Sequence, residues 1–222
     1  MNKQTVLVVA AHPDDEVLGC GGTIYKHHLA GDKVYLITLT NGVSARDNHD
    51  SDDTVIRNEA LEKSCKTLGV DEYHCLSFPD NQMDTISLLS ITKEIEKFAK
   101  DKKISTVYTH SLKDLNIDHQ ITHKATLTAF RPQPGLSVKR ILAFEVLSST
   151  EWSSDFFTPN YFVTLSDDCW NKKMEAMKYY SEELREFPHS RSIRNIENIG
   201  SLRGACIGYT KAEAFELIRS ID

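Results

Sequence analysis

Seven residues near the amino end, Thr5 to Ala11, are Val-rich and almost wholly apolar, and they stop abruptly at His12-Pro13-Asp14-Asp15-Glu16. An apolar run this short suits a strand of a parallel sheet, covered by helices on both faces. Whatever follows such a strand lies at its carboxyl end, where open parallel sheets place their ligands. One imidazole and three carboxylates at that position point to a divalent metal site with a general base beside it.

The rest of the chain continues the pattern. Helical spacing over Thr23 to Ala30 leads to a second strand at Lys33 to Thr40. A helix at Val55 to Leu68 precedes a third strand at Tyr73 to Phe78. Ile86 to Ala99 reads as a helix and Ile104 to Thr109 as a fourth strand. A helix capped by Asp118 runs to Phe130, and Lys139 to Val146 is a fifth strand. Strand and helix in turn predict a three-layer α/β/α fold with a mostly parallel sheet. Arg46 to Thr54 reads as a polar loop on the carboxyl side of the second strand. Beyond Ser148 the pattern loosens. Tyr161 to Leu165 is an added strand, Trp170 to Leu184 a helix, and Lys211 to Ile221 a final amphipathic helix. With 222 residues and no internal repeat, one domain spanning 1–222 accounts for the chain.

Composition excludes several classes. The net charge is −6, and the 26 Lys and Arg residues are interleaved with acids rather than gathered in a stripe, which argues against nucleic-acid binding. No apolar stretch approaches the length of a membrane span. Five cysteines, at positions 20, 65, 75, 169 and 206, form neither a disulfide framework nor a paired zinc motif, so a reducing cytoplasm is expected. Gly19-Cys20-Gly21-Gly22 is no dinucleotide fingerprint, because the acidic motif occupies the place that fingerprint needs and would repel a pyrophosphate. A GxSxG nucleophile elbow is also missing.

The metal reading draws on a second group, Asp118-His119, just past the fourth strand. A catalytic zinc takes three N or O ligands and keeps a position open for water. His12 and Asp15 lie three apart, so one tight turn aims both at a point that His119 reaches from the later loop. Asp14, beside a ligand but directed elsewhere, is placed to take a proton from that water. Each ligating imidazole needs an acceptor for its other nitrogen, and Asp118 or Glu16 can supply one.

Several segments together resemble the LmbE-like, or PIG-L, family of metal-dependent N-deacetylases. They are Ala11 to Glu16, Thr40-Asn41-Gly42, Arg57 with Glu59 and Ala60, and Leu68-Gly69. Phe78-Pro79-Asp80, Asp114-Leu115-Asn116 with Asp118-His119, and Glu145-Val146 with Ser149 to Trp152 extend the likeness. Arg203-Gly204, Gly208, Glu213 and Phe215 carry it to the carboxyl end. The resemblance implies a Rossmann-like fold without a dinucleotide. It implies zinc, or another divalent ion, on His12, Asp15 and His119, with Asp14 as general base. The implied reaction removes an acetyl or formyl group from an amino sugar, free or carried on a nucleotide or lipid. Several relatives have histidine where this chain has Asn116, which can donate a hydrogen bond but cannot act as an acid. His110 or protonated Asp14 is then the expected proton donor. Arg57, Asp80, Glu145, Trp152 and Arg191 are the expected sugar contacts. The alternative is a non-catalytic sugar- or metal-binding protein on the same scaffold.

Overall fold

In the computed structural model, which describes residues 3–43 and 51–222, one seven-stranded sheet carries helices on both faces. In chain order the elements are β1 (Thr5–Ala10), α1 (Asp15–Leu29), β2 (Lys33–Thr40), α2 (Ser51–Leu68), β3 (Glu72–Phe78), α3 (Leu88–Ala99) and β4 (Thr106–His110). There follow α4 (Ile117–Ala129), β5 (Arg140–Phe144), β6 (Tyr161–Thr164), α5 (Asp167–Tyr179), α6 (Ile193–Ala205) and β7 (Ala212–Ser220). The strand order is β3-β2-β1-β4-β5-β7-β6. Strands β1 to β5 run parallel, and β7 pairs antiparallel with both β5 and β6. The three-layer, mostly parallel expectation therefore holds.

Strand β1 explains the layering. Val6, Val8 and Ala10 turn into a core shared with α1, α2, α5 and α6, while Leu7 and Val9 turn into a second core under α3 and α4. A strand covered on both faces has no polar side, hence its unbroken apolar run. The chain leaves β1 toward β2 on one side and returns to β4 on the other. The carboxyl ends of β1 and β4 thus flank the topological switch point, the crevice where such sheets bind ligands.

Four local expectations change. Helix α1 starts at Asp15, not at Thr23, and the glycines lie inside it. A Cβ on Gly19 would sit 2.3 Å from the Phe144 ring, so this helix lies closer to the sheet than any side chain permits. Gly19→Ala is expected to destabilise the protein by about 1–3 kcal/mol through overpacking, measurable by thermal denaturation. The carboxyl-terminal segment is strand β7 rather than a helix. Its Ala and Glu residues favour a helix intrinsically, but Phe215 and Leu217 pack into the sheet core while Glu213 and Glu216 are buried against lysines. Helix α6 was not anticipated, because two glycines dilute its pattern. One of them, Gly200, lies flat against Trp170, where a Cβ would be 2.3 Å from the indole. The loop expected at Arg46 to Thr54 lies partly outside the described residues; from Ser51 onward the chain is helical.

Candidate metal centre

After Ala10 the chain turns sharply, and the turn is held from within. The Ala11 amide donates to His110 Nε2 at 2.8 Å, and the His12 amide donates to the Asp15 carboxylate at 2.8 Å. Asp14 sits at the N-cap of α1 with φ 111°, a left-handed conformation that strains a non-glycine residue. Its side chain makes no capping hydrogen bond. Its amide donates to Glu16 Oε2 at 2.9 Å, and Glu16 is anchored in turn by Tyr180 OH at 2.6 Å and Ser64 Oγ at 3.0 Å. Burial pushes the Glu16 carboxyl up to about 7. Glu16 therefore braces the strained turn and does not serve as a histidine's acceptor.

The other half of the site arrives from β4. Helix α4 is capped by Asn116, not by Asp118. The Asn116 Oδ1 accepts from the amides of Asp118 at 2.8 Å and His119 at 3.4 Å. That cap fixes the first turn of α4, and with it the His119 ring.

The two halves meet closely. His12 Nδ1 and His119 Nε2 lie 3.2 Å apart, and Asp15 Oδ2 lies 3.2 Å from the first and 3.3 Å from the second. These three atoms form a nearly equilateral triangle. Ligands about 2.0–2.1 Å from a tetrahedral ion are about 3.3 Å from one another, so the triangle matches one face of such a site. Asp15 Oδ1 is buried without a protein partner, as expected of a group that faces a cation.

The outer nitrogens of both rings are engaged. His12 Nε2 lies 3.2 Å from Asp118 Oδ2 and 3.1 Å from Asp80 Oδ1. His119 Nδ1 lies 3.1 Å from Asp114 Oδ2. Carboxylates at these positions hold the proton on the outer nitrogen and leave the inner lone pair for a metal. They are themselves fixed. Asp118 accepts from the amides of Asn81 at 2.6 Å and Met83 at 3.0 Å, and Asp114 accepts from Ser149 Oγ and Thr150 Oγ1. The charge balance agrees with a cation. Burial opposes the charged form of His119, yet Asp15 and Asp114 outweigh it and raise the ring to about 9. His12 is raised in the same way, burial being outweighed by Asp118, Asp15 and Asp80. So many carboxylates around two imidazoles favour positive charge at this point, and the three ligand atoms lie close enough together to hold a metal ion.

Over this cluster opens a cleft of about 140 Å³, with Asp14, Asn81, Asn116, Ser148 and Ser149 in its walls. Asp14 Oδ2 accepts from Arg191 Nη1 at 3.0 Å and lies 3.9 Å from Arg57 Nη1. Glu183 bridges the same two guanidiniums. Burial pushes the Asp14 carboxyl up to about 6, against the pull of Arg191 and Arg57.

Three assignments from the sequence, His110, Glu145 and Trp152, need correction. His110 is fully buried beneath His119, their rings stacked at 4.0 Å, and its Nε2 is occupied by the Ala11 amide. Burial, with His119 close by, holds its pKa well below the ordinary value, so it is a neutral brace and not a proton donor to the cleft. Asp80 does line the cleft, as expected, and its Oδ1 also lies 3.1 Å from His12 Nε2. Glu145 is turned away and pairs with Arg203 through two bonds of 2.8 and 2.6 Å. Trp152 is 54% exposed, edge-on to His189, and forms no part of the cleft wall. Arg57 and Arg191 do line the cleft, but their guanidiniums are committed to Asp14 and Glu183. Among the residues sequence reasoning did not single out are Asp114 as the His119 partner, and Asn81, Ser148 and Glu183. The position of Asp114 two residues before Asn116 was a usable signal; Glu183, in a polar turn after α5, offered none.

The family profile of PIG-L, described as GlcNAc-PI de-N-acetylase, matches residues 7–130, more than half of the chain. An uncharacterized deacetylase of Escherichia coli, YaiS, is 28% identical over 180 residues, covering 79% of this chain and 90% of its own. The diacetylchitobiose deacetylase of Thermococcus kodakarensis is 26% identical over 237 residues, covering 97% of this chain and 84% of its own. Among solved structures, the N,N'-diacetylchitobiose deacetylase of Pyrococcus horikoshii shares the fold with a TM-score of 0.81. It is 21% identical, and the superposition covers 98% of this chain and 85% of that one.

Proposed function

The chain belongs to the PIG-L family, and from that membership we propose that it is a zinc-dependent hydrolase removing an N-acyl group from an amino sugar. The observation that carries this reading is the triangle of His12 Nδ1, Asp15 Oδ2 and His119 Nε2 beneath a cleft that Asp14 overlooks. Two imidazoles and a carboxylate are a donor set suited to catalytic zinc, and other divalent ions tolerate it too. A bound ion would make a water acidic enough to react near neutral pH and would polarise an amide carbonyl.

The chain's own groups supply the rest. Asp14 takes the proton of the attacking water. Its carboxylate is free of capping duty, and the Arg191 bond aims it. Asn116 spends its oxygen on capping α4 and one amide proton on Asn81 Oδ1, at 2.9 Å. The other amide proton is the donor we assign to the developing oxyanion. Asp14, now protonated, returns its proton to the departing nitrogen. The C–N bond breaks, and a free amine and a short carboxylic acid leave. No separate acid is needed, which answers the absence of a histidine at position 116.

The cleft walls favour a hydroxyl-rich ligand. Asn81, Asn116, Ser148 and Ser149 offer amides and hydroxyls, and the diacetylchitobiose deacetylases named above act on a related sugar. Because both guanidiniums in the wall are held by carboxylates, the cleft is better suited to a neutral sugar than to a phosphate. Acetyl and formyl differ by one methyl, about 1–3 kcal/mol of pocket contact. A mass-spectrometric screen of N-acetyl and N-formyl amino sugars tests the proposal. Release of acetate or formate with the matching free amine is expected. Intact substrates across the panel with metal-loaded protein would overturn it.

A further inference from the structure

Helix α1, which opens with Asp15, is broken internally: Cys20 has φ −150° and ψ 23°, outside the helical region. In an unbroken helix the Gly22 amide would bond to the Leu18 carbonyl and the Thr23 amide to that of Gly19. Here the Gly22 amide donates to Glu213 Oε1 at 3.0 Å and the Thr23 amide to Glu213 Oε2 at 2.7 Å. Lys173 Nζ donates to the same Glu213 Oε1 at 2.6 Å and to the Leu18 carbonyl at 2.8 Å. The Gly22 amide and the Leu18 carbonyl, on either side of the break, are thus joined by a chain of amide, carboxylate, ammonium and carbonyl. Glu213 comes from β7 and Lys173 from α5, and both are buried. A side chain inserted into the hydrogen-bond ladder is a recognised cause of a sharp bend.

We propose that the Lys173–Glu213 pair is a positioning device for the metal centre: it splices the bend in α1 and so fixes the direction of the turn that carries Asp14 and Asp15. This rests on the hydrolase reading above. Three arguments support it. A buried ion pair is a weak source of stability and is often replaceable by apolar residues. Apolar residues here would take away the bonds that the Gly22 and Thr23 amides and the Leu18 carbonyl make to this pair. One short stretch, Asp14 to Leu18, links the spliced carbonyl to the strained base and the carboxylate ligand. Gly19 presses against Phe144, so the first turn of the helix has a fixed seat on β5, and the splice decides how the remainder departs from it.

The test uses Glu213→Gln, which keeps the shape but turns an acceptor at Thr23 into a donor, and the neutral double variant Lys173→Met/Glu213→Gln. Two measurements are made on each. Chelator competition with zinc gives metal affinity without reference to turnover, and hydrogen exchange follows the Gly22 and Thr23 amides. Faster exchange at both amides, with zinc affinity about tenfold weaker, is expected, comparable to losing an outer partner of a metal ligand. Faster exchange with unchanged affinity would mean that the pair only holds the helix together, and would overturn the proposal. Unchanged exchange would overturn it as well. Wild-type protein that binds no zinc would instead defeat the zinc-hydrolase reading, and the positioning role with it, whatever the exchange shows.

Discussion

Asp14→Asn is expected to lower kcat by about 10²–10⁴-fold while leaving one divalent ion bound per chain. The amide keeps the shape of the carboxylate and can still accept from Arg191, so the turn should survive. What it loses is the ability to take a proton from water and return it to the amine. The same change puts an NH2 group near two guanidiniums, and the left-handed backbone at this position tolerates Asn well. A small fall in stability with a large fall in turnover is therefore the signature. Metal content by elemental analysis and kcat on the best substrate of the panel read the two halves separately. If kcat stayed within a few-fold of wild type, the base would have to be sought elsewhere in the cleft.

The second large effect concerns the ion. His119→Ala removes one corner of the triangle and leaves Asp114 and Asp15 without the ring between them. Asp114→Asn keeps the ring but weakens its anchor. Loss of such an outer partner costs about 10–100-fold in metal affinity. Loss of the ligand itself is expected to cost more, so the order wild type, Asp114→Asn, His119→Ala is predicted for zinc affinity, with deacylation falling in parallel. Thermal denaturation with and without zinc separates an unfolded variant from an empty one, since a bound ion raises the melting temperature with the logarithm of its affinity. Equal zinc affinity in wild type and His119→Ala would remove this residue from the ligand set.

Much of this was legible in the sequence, for local reasons. His12, Asp14 and Asp15 share one turn, so their spacing alone defines the cluster. The apolar run before them defines where in a parallel sheet that turn must lie. His119 was legible because a helix start past another apolar run falls at the same edge of the sheet. What escaped were contacts made across the fold. Asp80, from the segment after β3, lines the cleft as its place suggests, but nothing in the sequence says that its neighbour is His12. His110, the last residue of β4, looked reactive until burial and the Ala11 amide took it out of reach. Arg57, Arg191 and Glu183 come from three distant segments, and only their meeting at Asp14 gives them a common purpose. The carboxyl-terminal strand was hidden by its own glutamates. Glu213 and Glu216 mark an exposed helix face in an ordinary sequence, yet both are buried against lysines here.

Stripping the protein of divalent ions with a chelator and adding zinc back in measured steps, while following release of acetate or formate, addresses the account at its root. Turnover should vanish on stripping and return in step with the zinc bound, levelling off at one ion per chain. Undiminished turnover in thoroughly stripped protein would contradict it.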